Sequence, residues 1–136
     1  MDGRAFLDVA RELVAGITEA HWRATVIHAY YALMLECRDA LARWAVAIPP
    51  HQNVHSAVRL RFVYAADPDL KWLGYRLDDW SRHRNEASYN LMPLRQFATD
   101  TVAQRAITEV SDALALLDAI ECDPVRRTAA IAAFPP

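Results

Sequence analysis

Four cationic side chains crowd one short stretch of the chain: Arg76, Arg82, His83 and Arg84. Arg84 is the unusual member. It stands on a stripe at helical spacing that reads Leu70, Leu73, Leu77, Trp80, Arg84, Ala87 and Leu91, apolar at every other position. A guanidinium there needs a reason, because an unpaired buried charge is expensive. Three outcomes are open. The side chain reaches back to water near a helix end, it pairs with a carboxylate from another helix, or it lines a cleft and binds an anion such as phosphate. Arg59 and Arg61, on the preceding segment, could extend a cationic patch. Arg82 has Asp78 and Glu86 four residues away on either side, the pattern of a solvated ion-paired face. Asn85, Ser88, Tyr89 and Asn90 then supply hydrogen-bonding groups at the end of the same segment.

Other chemistry is thinner. His51 and His55 have a metal-ligand spacing, but no Glu lies between them and no third ligand is evident, so a capping or surface role is the expectation, with no metal and no cofactor. His21 and His28 read as helix-face residues. Tyr30 and Tyr31 could stack on a base, though such a pair more often serves core and interface. No glycine-rich phosphate loop or nucleophile elbow occurs.

The elements that must position these groups are helices. A first segment offers Phe6, Ala10, Leu13 and Ile17. A second, from about 19 to 47, carries the seam Ile27, Tyr30, Met34, Cys37, Leu41, Trp44 and Ile48, a second stripe Val26, Leu33, Ala40 and Ala47, and a narrow polar stripe Glu36, Asp39 and Arg43. A helix so apolar is central, or faces both a core and a partner. A third spans about 53 to 65. The fourth opens at Asp67-Pro68 and runs to about Tyr89, with Asp as N-cap and Pro in the first turn. A fifth spans about 101 to 121, with capping-box spacing at Thr101 and Gln104, and Asp123-Pro124 opens a short last one. Short connections suit an all-α antiparallel bundle of four to five main helices plus a short C-terminal helix, occupying residues 1–136 as a single domain.

Composition sets the class. The chain has 136 residues, 54% apolar and 24% charged, which suits a globular domain with a real core. A net charge of -2 excludes binding to nucleic acid by bulk charge alone and leaves room for a local basic patch. Cys37 and Cys122 form neither a disulfide framework nor a zinc pattern. No secretory signal is visible, and the longest uncharged apolar run, Ala24 to Leu35, is too short to span a bilayer. A cytoplasmic protein without membrane attachment is expected. Arginine far outnumbers lysine, whose one instance is Lys71; this fits codon bias, a GC-rich bacterial genome being one source.

The string Arg84-Asn85-Glu86-Ala87-Ser88-Tyr89 resembles the signature of the HEPN superfamily, Arg-Asn-x-x-x-His or Arg-x-x-Ala-Asp-Tyr. Upstream, Ala29-Tyr30-Tyr31-Ala32-Leu33-Met34 is similar to an Ala-Tyr-Tyr-Ala-hydrophobic stretch on the long second helix of many such proteins. His55 followed by Val58 is similar to a His and small apolar residue on their third helix. The resemblance covers about residues 5 to 120. It implies a HEPN-like bundle that pairs as a homodimer across a shared cleft, with RNA or a nucleotide as ligand. It also implies a place in a toxin–antitoxin or related defence system beside a minimal nucleotidyltransferase. Arg84, Asn85 and Tyr89 would contact the ligand, with Arg82 at the rim. Many members are metal-independent endoribonucleases in which Arg stabilises the phosphorane and His moves a proton. Here Tyr89 stands at the His position, and a phenol titrating near 10 is a poor base at neutral pH. Ser88 replaces the Asp of the second variant. His83 adjoins Arg84 but points about 100° away on the helix. Reduced or absent cleavage is therefore the expectation. Two alternatives stand beside it: a catalytically silent homodimeric interaction module using the apolar face of the second helix, and an active endoribonuclease toxin using Arg84 and Tyr89.

Overall fold

A computed structural model describes residues 1–136. It is all-α, with six helices: α1 (Ala5–Leu13), α2 (Glu19–Arg43), α3 (Val54–Val63), α4 (Pro68–Tyr89), α5 (Thr101–Cys122) and α6 (Pro124–Ala132), plus a 3-10 turn at Arg95–Phe97. None is long and apolar enough to cross a membrane.

Local chemistry sets most of the helix starts. The Thr18 side chain accepts from the His21 amide, Asn53 from His55 and Ser56, Asp67 from Asp69 and Leu70, and Asp123 from Val125 and Arg126. Both Asp-Pro starts behave as expected. The capping box at Thr101 does not form; Asp100 precedes α5 without a side-chain cap.

Two ends fall short of the apolar pattern. α1 stops at Leu13, and Ile17 is 88% exposed beyond it. α2 stops at Arg43 rather than near 47. Ala45 takes a left-handed φ of 55°, the Val46 amide donates to Leu41 O at 2.9 Å, and the Ala45 amide to Ala42 O at 3.2 Å. This is a Schellman closure with alanine where glycine is usual, and it turns Ala47 and Ile48 out of the helix.

The width of the apolar face on α2 is used within the chain. α2 packs against α1, α3, α4 and α5. Tyr30, Met34, Cys37 and Leu41 from one stripe and Val26, Leu33 and Ala40 from the other are buried. Even Glu36, from the polar stripe, is buried and meets Arg4 at 3.1 Å. So α2 is the central helix, and the face invoked for docking a partner is covered by the chain itself. Burial pushes the Cys37 thiol far above its usual range, while Cys122 is exposed; both are free.

The α3–α4 contact is set by Gly74. A Cβ there would stand 2.5 Å from the Val63 amide nitrogen and 2.9 Å from the Phe62 carbonyl carbon. The two helices approach backbone to backbone, and that approach brings the start of α3 to the latter half of α4.

Candidate functional site

Arg84 lies half-buried on α4 and pairs with no carboxylate. Its neighbours on the same two helices do: Arg59 and Arg82 share Asp78, at 3.6 and 2.7 Å, and Arg76 holds Asp79 and Glu109. The Arg84 guanidinium instead rests on aromatic rings, with its central carbon 5.3 Å from the Tyr31 centroid, 5.7 Å from Tyr89 and 5.9 Å from Tyr30. One terminal nitrogen donates to Tyr31 Oη at 2.6 Å and the other to Asn85 Oδ1 at 2.9 Å. Nε is buried without a partner. Of the three outcomes open from sequence, the pairing with a carboxylate does not occur, and the side chain lines a cleft. It lines an open pocket of about 160 Å³ whose walls are Asn53, His55, Ser56 and Arg59 from the start of α3 and Ser81, Arg84 and Asn85 from α4.

No apolar side chain and no carboxylate line that pocket. The positive end of the α3 dipole adjoins it. Arg84 has no carboxylate partner, and Arg59 shares the single carboxylate of Asp78 with Arg82, so the walls carry a net positive charge. An oxyanion is the ligand such walls can satisfy: guanidinium, hydroxyl and amide donors, and nothing that repels negative charge.

The expected site residues separate here. Arg84 and Asn85 line the pocket. Tyr89 does not; it is 75% exposed, its ring against the outer side of the guanidinium. Arg82 does not either: its side chain is 76% exposed and bound to Asp78, the solvated ion pair that its spacing suggested. Arg61 is committed to the carbonyls of Ala47 and Pro135. His83 is occupied away from Arg84, with Nδ1 at 2.8 Å from Gln96 Oε1 and Nε2 at 3.1 Å from Arg105. A larger groove of about 460 Å³ beside Leu60 and Tyr64 has Arg61 as its one charged wall and carries no comparable chemistry.

Two findings go beyond the sequence reading. His55 is not a surface or capping residue. Asn53 is the cap, so the helix starts after His51, the two imidazoles do not share a helical face, and no group of metal ligands forms. His55 instead stands in the pocket wall with Nδ1 at 2.7 Å from Tyr30 Oη, its ring stacked on Tyr30 at 5.7 Å and edge-on to Tyr31 at 5.9 Å. Tyr30 and Tyr31 thereby form an aromatic floor beneath both Arg84 and His55. Burial, and after it the nearby Arg84 charge, lowers the His55 pKa, so the ring is neutral at pH 7.

The second is Arg23. This α2 residue, 8% exposed, donates to the carbonyls of Glu86, Ala87 and Asn90 at 3.2, 3.2 and 2.5 Å and to Met92 O at 3.1 Å. Its Nε reaches Glu19 at 2.9 Å and its plane lies over Phe97 at 4.8 Å. It donates to carbonyls in and just beyond the last turn of α4, of which Glu86 O also accepts from the Asn90 amide, in a helix with no basic residue of its own there. Stepping the α2 seam back from Ile27 by four residues lands on Arg23, so the signal was present in the spacing.

Compared with protein-family models, curated proteins and solved structures, the chain matches none.

Proposed function

We propose that the pocket beneath Arg84 holds a phosphate group of an RNA or a nucleotide. What carries this reading is a half-buried guanidinium with no carboxylate partner, set in a wall of polar donors that includes no acid. The pocket's volume suits a phosphate with part of a sugar and leaves a base outside it. Tyr89, exposed beside Arg84, offers a face on which that base can stack. Asn85, already bound to Arg84, fixes the guanidinium plane. Arg82 is at most a distant electrostatic contributor.

Placement of the chain among HEPN-like proteins, as a homodimer with a minimal nucleotidyltransferase partner in a defence system, rests on the resemblance of residues 29–34, His55 with Val58, and 84–89 alone. The apolar-face module has less behind it, because that face of α2 is covered within the chain. For the toxin alternative, Tyr89, the group that would move the proton, lies outside the pocket wall and beside Arg84.

The test is binding of a short fluorescent oligoribonucleotide to the purified chain. Arg84→Ala is expected to weaken it by about tenfold or more, the scale of a lost charge-assisted contact, with the helical circular dichroism spectrum unchanged. Arg82→Ala is expected to leave it within about twofold at moderate salt. One phosphate neutralised on a single strand corresponds to a slope of about -0.7 in log K against log salt. Unchanged binding in Arg84→Ala would remove the site.

A further inference from the structure

The wall facing Arg84 is the first turn of α3, and His55 is its titratable member. Tyr30 is buried. Burial raises its phenol pKa, so the oxygen keeps its proton. A protonated phenol can donate or accept, and Ser81 also lies within its reach; where Tyr30 donates to His55 Nδ1, the single proton of the neutral ring sits on Nε2. Nε2 has no hydrogen-bond partner within the chain, and the ring lines the same pocket as Arg84.

We propose that His55 is the second ligand-contacting group of the pocket, presented by Tyr30 as a neutral Nε2–H donor to the anion that Arg84 holds. This rests on reading the pocket as an anion site and adds the group that grips the far side of the ligand. Tyr30 acts through His55 and is a positioning residue.

The surroundings define how the contact responds to pH. α2 brings the phenols Tyr30 and Tyr31, α3 brings Arg59, and α4 brings Arg84 and Asp78, the last held between Arg59 and Arg82. No carboxylate is free to pair with the imidazole. In the empty pocket His55 resists protonation; with an anion bound, the imidazolium gains a partner. Affinity must therefore rise as pH falls, by about tenfold for each unit by which the ligand raises the His55 pKa.

An oligouridylate hexamer is the probe, because its own charge is constant between about pH 5.5 and 8. The full chain is expected to bind it about tenfold more tightly at the acid end than at the alkaline end. His55→Gln, which cannot titrate, is expected to lose the acid gain, so that its affinity at the acid end matches its own affinity at pH 8. In ¹⁵N spectra of the free chain at pH 8, His55 is expected as the Nε2–H tautomer, shifting toward a mixture in Tyr30→Phe. An acid gain that survives in His55→Gln, or a native Nδ1–H tautomer, overturns the proposal. If the hexamer fails to bind at any pH, the RNA reading falls separately, and titration with sulfate decides the rest: a shift of the His55 nitrogens supports the contact, and none refutes it.

Discussion

Arg23 and Arg84 both serve α4, and the fold treats them in opposite ways. Arg23 enters from α2 and spends its donors on four carbonyls and a carboxylate at the helix end, with Phe97 beneath. Arg84 lies on α4 itself, with a phenol and an amide as partners, aromatic rings below and an open polar pocket beside it. The buried arginine is saturated by its own chain, and the half-buried one is left with donor capacity and charge unspent. Folding explains the first completely. It does not explain why the second is arginine; the proposed anion would.

The largest expected effect is at the saturated site. Arg23→Met removes the side-chain donor from four carbonyls near the end of α4, of which Glu86 O keeps the Asn90 amide, and frees Glu19. The cost is about 3 kcal/mol, within the range for removing one partner from a buried charged network. Urea unfolding measures it, and hydrogen exchange should place the loosening at residues 86–92. A loss below about 1 kcal/mol would mean that water replaces Arg23 freely and that the contrast with Arg84 is false.

Gly74→Ala comes next, at about 2 kcal/mol from overpacking against the α3 backbone. Its value is in its asymmetry. It forces α3 away from α4 and so separates His55, Ser56 and Arg59 from Arg84, while the Arg23 network, built from α2 and the end of α4, stays in place. Ligand affinity should fall with stability in this variant, and exchange protection at residues 86–92 should persist.

A third arginine shows the intermediate case. Arg126 forks onto Asp67 at 2.6 and 2.9 Å and also meets Asp69. That hydrogen-bonded pair, and then the amides of Leu70 and Asp69 that Asp67 caps, hold the Asp67 carboxyl below its usual range. A carboxyl depressed in the folded state stabilises fully above its unfolded pKa, near 4, and loses that contribution as pH falls through the lower folded value. Asp67→Asn is therefore expected to cost about 1 kcal/mol at pH 6. Its unfolding midpoint in urea should converge with that of the native chain as pH falls through the lowered folded-state value of Asp67. A constant gap across that range would show that Arg126 contributes nothing through charge.

How much of this was readable beforehand follows one physical line. Arg84 stands out because a helical period is a local property, and a charge on an apolar stripe violates it visibly. The same rule applied one step further back on α2 exposes Arg23. Arg82 reads correctly as a solvated ion pair because its partner Asp78 lies one turn away on its own helix. The pocket's other wall is different in kind. His55 meets Tyr30 across 25 residues and shares a cavity with Arg84 across 29, the latter between two helices that approach closely at Gly74. Spacing along the chain carries no information about that pairing. The early end of α2 escaped for a related reason: a left-handed alanine closes it, where the residue type signals continuation.

The smallest expected effect is the most discriminating, because it repeats the first substitution at the other arginine. Arg84→Met removes cation–π contacts worth about 0.5 to 1 kcal/mol each where partly exposed. In return it places an apolar side chain on an apolar seam, over two tyrosine rings, and removes the cost of a buried Nε with no partner. These terms oppose one another, so stability should change by less than about 1 kcal/mol, of either sign. Binding, by contrast, loses the one pocket cation that has no carboxylate partner. A residue whose removal leaves the fold standing and abolishes anion affinity is kept for the ligand. If Arg84→Met instead unfolds the chain as readily as Arg23→Met, the guanidinium is structural and the pocket beside it is incidental.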